Sequence, residues 1–214
     1  ALSSDDLGNY NVAIGSQALT SMNFATGTDG YNVAVGRNAG ANVTTGTQNT
    51  LLGSLSGDAV TTGIQNVAVG MNSLGALTDA DYNVAIGAYA LDADTMGSQT
   101  TAIGYGALSA QNFSTASDSF NTAVGYTAGL LVTTGIRNTL IGANAGNALT
   151  DADNNVAVGT DALGTNQLGS ANVAVGRFAL GTMNPATATA TYNTAVGPDA
   201  GGAITTGIRN TLVG

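Results

Sequence analysis

Three pairs of aspartates stand close enough in sequence to concentrate carboxylates: Asp79 with Asp81 in LTDADYN, Asp151 with Asp153 in LTDADNN, and Asp92 with Asp94. Two carboxylates with backbone carbonyls offer the hard oxygen ligands that calcium prefers, and two acids flanking a sugar can act as a glycosidase pair. The surrounding sequence argues against both. Neither the EF-hand spacing nor the G-G-x-G-x-D repeat of calcium-binding β-helices is present, and Asp-x-Asp in a turn is more often a local cap. General acid–base and nucleophilic catalysis recruit His, Glu, Lys or Cys, and the chain has none of the four. No catalytic residue, metal site or cofactor is assigned, and the expectation is a protein that is not an enzyme.

Aromatic rings offer a different chemistry, a flat apolar face on which a sugar ring can stack. Three segments, TSMNFATGTDGYN, SAQNFSTASDSFN and GTMNPATATATYN, align so that Asn23-Phe24, Asn112-Phe113 and Asn184-Pro185 correspond. Insertions in repetitive folds become loops on one face, often the binding face. Phe24, Tyr31, Phe113, Phe120 and Tyr192 are therefore candidate receptor contacts, with a cell-surface glycan as the partner they suit. The competing expectation is that these rings cover the fold where it widens.

Charge narrows the choice of partner. The net charge is −9 with four Arg as the sole bases, whereas binding phosphate backbones needs clustered Lys and Arg; nucleic acid is not an expected partner. No apolar run approaches the ~20 residues of a membrane helix, so no membrane insertion is expected. The opening ALSSDDLGNY lacks the basic and apolar regions of a signal peptide.

What positions these residues is a repeat. Aligning on the Gly of N-x-A-[VI]-G gives Gly15, Gly36, Gly53, Gly70, Gly87, Gly104, Gly125, Gly142, Gly159, Gly176, Gly197 and Gly214, separated by 17 or, three times, 21 residues. Four positions earlier stand Asn11, Asn32, Asn49, Asn66, Asn83, Asn121, Asn138, Asn155, Asn172, Asn193 and Asn210, with Thr100 the exception. A fixed period with fixed columns means stacked equivalent coils. Segments such as NVAVG are short strands by composition, ending at a Gly that suits a positive-φ corner. TTG at 44–46, 61–63, 133–135 and 205–207 marks turns. The fold class is all-β, a parallel β-solenoid of about twelve 17-residue coils forming one repeat domain over 1–214. At ~4.8 Å per coil it would run on the order of 55 Å.

Two columns carry further expectations. The Asn column is either a structural ladder of amides bonded along the stack or a set of residues tolerant of turn geometry. Where the residue four after the anchor is Gly (Gly40, Gly57, Gly129, Gly146, Gly201), an aliphatic side chain follows three later (Val43, Val60, Val132, Leu149, Ile204). Where it is Leu (Leu91, Leu163), that later residue is polar (Asp94, Asn166), so each coil tends to supply one large group to a shared slot. In NVAIG, Val12 and Ile14 point to one face and Ala13 to the other, and both faces are apolar. One face is expected to fill the coil and the other to meet a neighbouring chain. The Ala13 column, Ala in nine copies and Leu in three, would allow close approach around an axis.

The units NVAIGSQAL, NTAVGYTAG and TTGIRNTLIGANAG resemble the N-T-A-x-G-x-x-A-G repeats of phage tail fibres and related bacterial surface proteins, and are similar to the S-x-A-x-G units of YadA-like trimeric autotransporter adhesin heads. The resemblance covers essentially the whole chain, and Asn at the start of most units with 17-residue coils favours the phage-fibre branch. It implies a left-handed β-roll, a homo-oligomer of three chains, and a shaft or head for host attachment on a virion tail or cell surface. The chain is then expected to be a fragment of a longer fibrous protein. Two alternatives belong to other classes. A self-assembling extracellular filament would continue its coils from chain to chain, and an ice-binding solenoid would need Thr in register on every coil, which TDA, TMG and NQL at equivalent places oppose.

Overall fold

The computed structural model describes residues 1–4 and 7–214. It is a parallel β-solenoid of about twelve coils, with no helix among the described residues. The chain divides into two compact units, residues 1–100 with 112–118, and residues 101–111 with 119–214.

In the first unit, strands Val12–Ile14, Val33–Val35, Thr50–Leu52, Val67–Val69 and Val84–Ile86 pair in parallel in chain order. In the second, the same holds for Thr101–Ile103, Thr122–Val124, Thr139–Ile141, Val156–Val158, Val173–Val175, Thr194–Val196 and Thr211–Val213. Register is in phase: Leu51 lies opposite both Ala34 and Ala68, each the middle residue of its strand. Sequence columns are thus spatial columns.

Each coil turns through left-handed backbone. The anchor glycine carries φ of +141° at Gly53, and a Cβ there would stand 2.5 Å from the carbonyl oxygen of Gly70 in the next coil. No other residue combines that dihedral with that approach. Three further corners adopt φ near +50° to +60° without requiring Gly: the residue before each Asn (Tyr31 48°, Gln48 61°, Gln65 55°), the second residue after the anchor (Asn38 59°, Leu55 60°), and the fourth (Leu19 48°, Leu91 52°). Leu in that conformation is uncommon; it is held there because the side chain enters the coil, where Leu19 and Leu91 are fully buried.

The inward column corrects the sequence-based expectation. Ala34, Leu51, Ala68, Ala85, Ala102, Ala123, Leu140, Ala157, Ala174 and Ala195 are completely buried within the single chain. They line the coil's own core and leave no Ala face for a neighbouring chain. Opposite them lies the shared slot: a Cβ on Gly57 would meet Leu51 Cδ2 at 2.7 Å and Val60 Cγ2 at 3.4 Å. The Leu91 coil fills that space with leucine and uses Asp94 to bond backbone instead, its Oδ1 accepting from Gly97 N at 3.0 Å and Phe113 N at 3.3 Å.

The Asn column is a hydrogen-bonded ladder. Asn49 Oδ1 accepts from Asn66 N at 3.0 Å and from Asn66 Nδ2 at 3.2 Å, while Asn49 Nδ2 donates to Gly63 O at 2.8 Å. The double acceptance by Oδ1 repeats at Asn32, Asn138, Asn155 and Asn193. Buried backbone groups at the corner are thereby satisfied coil after coil. At Thr100 the amide side chain is missing, yet the Thr100 backbone N still donates to Asn83 Oδ1 at 3.0 Å.

The three 21-residue coils each add a two-residue strand pair, joining Gly8–Asn9 to Thr28–Asp29, Gly97–Ser98 to Ser117–Asp118, and Gly169–Ser170 to Thr189–Ala190.

Candidate interaction surfaces

Since the middle residue of each strand points inward, its two neighbours must point outward. The outward face therefore carries an aliphatic column (Ile14, Val35, Leu52, Val69 and Ile86 in the first unit; Ile103, Val124, Ile141, Val158, Val175, Val196 and Val213 in the second) and beside it a column of Val and Thr. None of these side chains is buried; Ile14 is 59% exposed and Val196 41%. A run of branched aliphatics on a flat sheet face, with no charge among them, is the kind of patch that marks an interaction site.

The aromatic candidates separate into two groups. Phe24 and Phe113, expected as exposed rings, are buried, and so is Pro185 at the equivalent place. They plug the core where the longer coils widen; Phe113 Cδ2 lies where a Cβ on Gly97 would meet it at 2.8 Å. Tyr31, Phe120 and Tyr192 are exposed, together with Tyr10 and Tyr82 of the same corner column. Tyr10 and Tyr31 stack with centroids 5.1 Å apart and planes 4° from parallel. Tyr31 Oη donates to the Asp29 carboxylate at 3.3 Å, and that neighbouring charge raises the phenol above its ordinary value, keeping it a donor.

A second aromatic pair escaped the sequence reading. Tyr105 and Tyr126, each directly after its anchor glycine, stack at 5.6 Å and 13° and are both exposed. Their sequence signal is IGYGAL and VGYTAG in successive coils, outside the long insertions.

The aspartate pairs are structural. Asp81 Oδ1 accepts from Ile64 N and Asp153 Oδ1 from Ile136 N, both at 2.8 Å. Their own amides donate to Ser98 Oγ at 3.1 Å and Ser170 Oγ at 2.9 Å. Asp79 and Asp151 accept the hydroxyls of the preceding Thr78 and Thr150 at 3.3 Å. The carboxylates of Asp79, Asp81, Asp94, Asp151 and Asp153 each bridge adjacent coils or cap a turn, and no group of three potential ligating acids gathers among the described residues. Burial raises the carboxyls of Asp92 and Asp58 above the ordinary aspartate range, against the lowering effect of their own backbone amides.

No helix of the described residues is long and apolar enough to cross a membrane. Scans against protein-family models, curated proteins and solved structures each find no match to this chain.

Proposed function

We propose that this chain is a structural and adhesive segment of a homo-oligomeric fibre, the shaft or head of a phage tail fibre or bacterial surface adhesin, which contacts a cell-surface receptor. It works without catalysis, as a rigid scaffold. The observation that carries this reading is the outward aliphatic column: a face bearing Val, Ile and Leu in every coil, unburied by the chain itself. Burial of such a face stabilises by roughly 25 cal/mol per Å², and a copy of the same chain presents the complementary surface with the same repeat. Three chains, the number implied by the repeat resemblance, would enclose these columns around one axis and leave the corners outside for contact. The location that fits is a virion tail or the outside of a cell.

The test is the mass of the intact chain in solution by light scattering, paired with its adhesion to cells. A mass of three chains is the expected result. A single-chain mass at micromolar concentration would remove the fibre reading.

A further inference from the structure

We propose that the corner column Tyr31, Gln48, Gln65 and Tyr82 binds a neutral saccharide laid along the stack of coils. The inference rests on the adhesive half of the reading above and gives it a site and a ligand class.

All four residues stand five positions before their anchor glycines and share left-handed φ, from 48° to 61°. Shared backbone in stacked coils sends their side chains out of the same corner, one coil apart, and all four are exposed. Tyr31 is fixed before any ligand arrives. One ring face is covered by the parallel Tyr10 and the hydroxyl is tied to Asp29, leaving the other face directed along the column toward Gln48. Two primary amides follow, and Tyr82 stands beyond them. Three coil steps at ~4.8 Å separate the two tyrosines by roughly 14 Å, room for a short oligosaccharide.

The chemistry matches. A pyranose offers a C–H face to an aromatic ring and a rim of hydroxyls that both donate and accept. Glutamine amides carry an acceptor oxygen and two donor hydrogens, and aromatic faces provide a large rigid contact with little entropy to lose. None of these four residues is a base, Asp29 lies beside Tyr31, and the chain carries a net charge of −9, so an anionic sugar would be repelled. The apolar face that suits another copy of the chain is the outward Val and Ile columns, not this polar corner.

The test uses the full chain. Calorimetric titration with cellotriose, maltotriose and triacetylchitotriose, alongside an array of neutral and anionic glycans, reads binding for the intact chain, Tyr31→Asn, the double variant Gln48→Gly with Gln65→Gly, and the control Tyr126→Ser. Asn and Gly tolerate the left-handed corner, and circular dichroism confirms folding. Binding to at least one neutral glycan is expected, weakened about tenfold in Tyr31→Asn and similarly in the double variant, with the control unchanged. Unaltered affinity in both column variants would overturn the site, as would exclusive binding of anionic glycans or of none. If the chain is oligomeric and adheres to cells yet binds no saccharide, this site falls and the fibre stands. A single-chain mass with Tyr31-dependent binding gives the reverse.

Discussion

At the scale of single residues, the coil depends on a few buried groups that each serve more than one partner. Asn49 serves two buried partners at once, the Asn66 amide and the Gly63 carbonyl. Asn49→Ala leaves both unsatisfied, at about 1–3 kcal/mol for each buried polar group. We expect a loss of about 3 kcal/mol in urea unfolding with an unchanged m value, at fixed protein concentration. Glycine separates in the same way. Gly53→Ala forces a Cβ against the Gly70 carbonyl at φ +141°, whereas Gly27 has nothing within 4 Å of its would-be Cβ. The first substitution should abolish or severely weaken folding, and Gly27→Ala should stay within about 0.5 kcal/mol of the parent. Charge gives a third expectation. The Asp92 carboxyl is raised above its ordinary value of 3.8 by burial, so the folded state holds a proton over a pH range in which the unfolded state has released it. Stability is then greatest below that range and declines as pH rises from the ordinary value through the folded one. Asp92→Asn should flatten this decline and raise the urea midpoint at neutral pH.

At the scale of the element, a three-residue strand has no independent stability, and each exists because the coils beside it supply partners and core. The repeat made this legible: the anchor glycines, the Asn column and the exchange between Gly57 with Val60 and Leu91 with Asp94 were all readable as equal spacing, and each has a physical counterpart in the stack. The facing of the strand was not readable. Alternation places Ala13 opposite Val12 and Ile14 but does not say which side is inside when both are apolar, and small residues suit a close neighbouring chain as well as a crowded core. The deciding fact is volume: a 17-residue coil already receives Leu or Val from its slot, so only Ala or an occasional Leu fits facing it. The left-handed corners at Tyr31, Gln48 and Leu19 were equally silent, because none is a residue type that announces positive φ. The long insertions stand out by length, yet their Phe24 and Phe113 turn inward. Phe113→Ala should consequently behave as a core truncation, costing about 3 kcal/mol in denaturant unfolding, and the exposed tyrosine columns should remain in place.

At the scale of the whole molecule, repetition multiplies small surfaces. One outward valine on a strand is unremarkable, but the in-phase register places an aliphatic side chain at the same point of each coil within a unit, so a patch grows with the number of coils in that unit. The same rule multiplies any disruption, since a charge set into that column sits among aliphatics above and below it. Inward and outward positions one residue apart therefore make a discriminating pair. Val69 points out and is only half-buried, and Ala68 points in and is fully buried. Val69→Lys can extend its ammonium into water from an otherwise native coil, so it should keep the β-rich circular dichroism spectrum while the mass in solution falls to a single chain. Ala68→Lys must bury that charge in a core with no space and no partner, so it should lose the fold outright. If the parent is oligomeric and Val69→Lys retains its mass, the outward aliphatic column is not the surface through which copies of the chain associate.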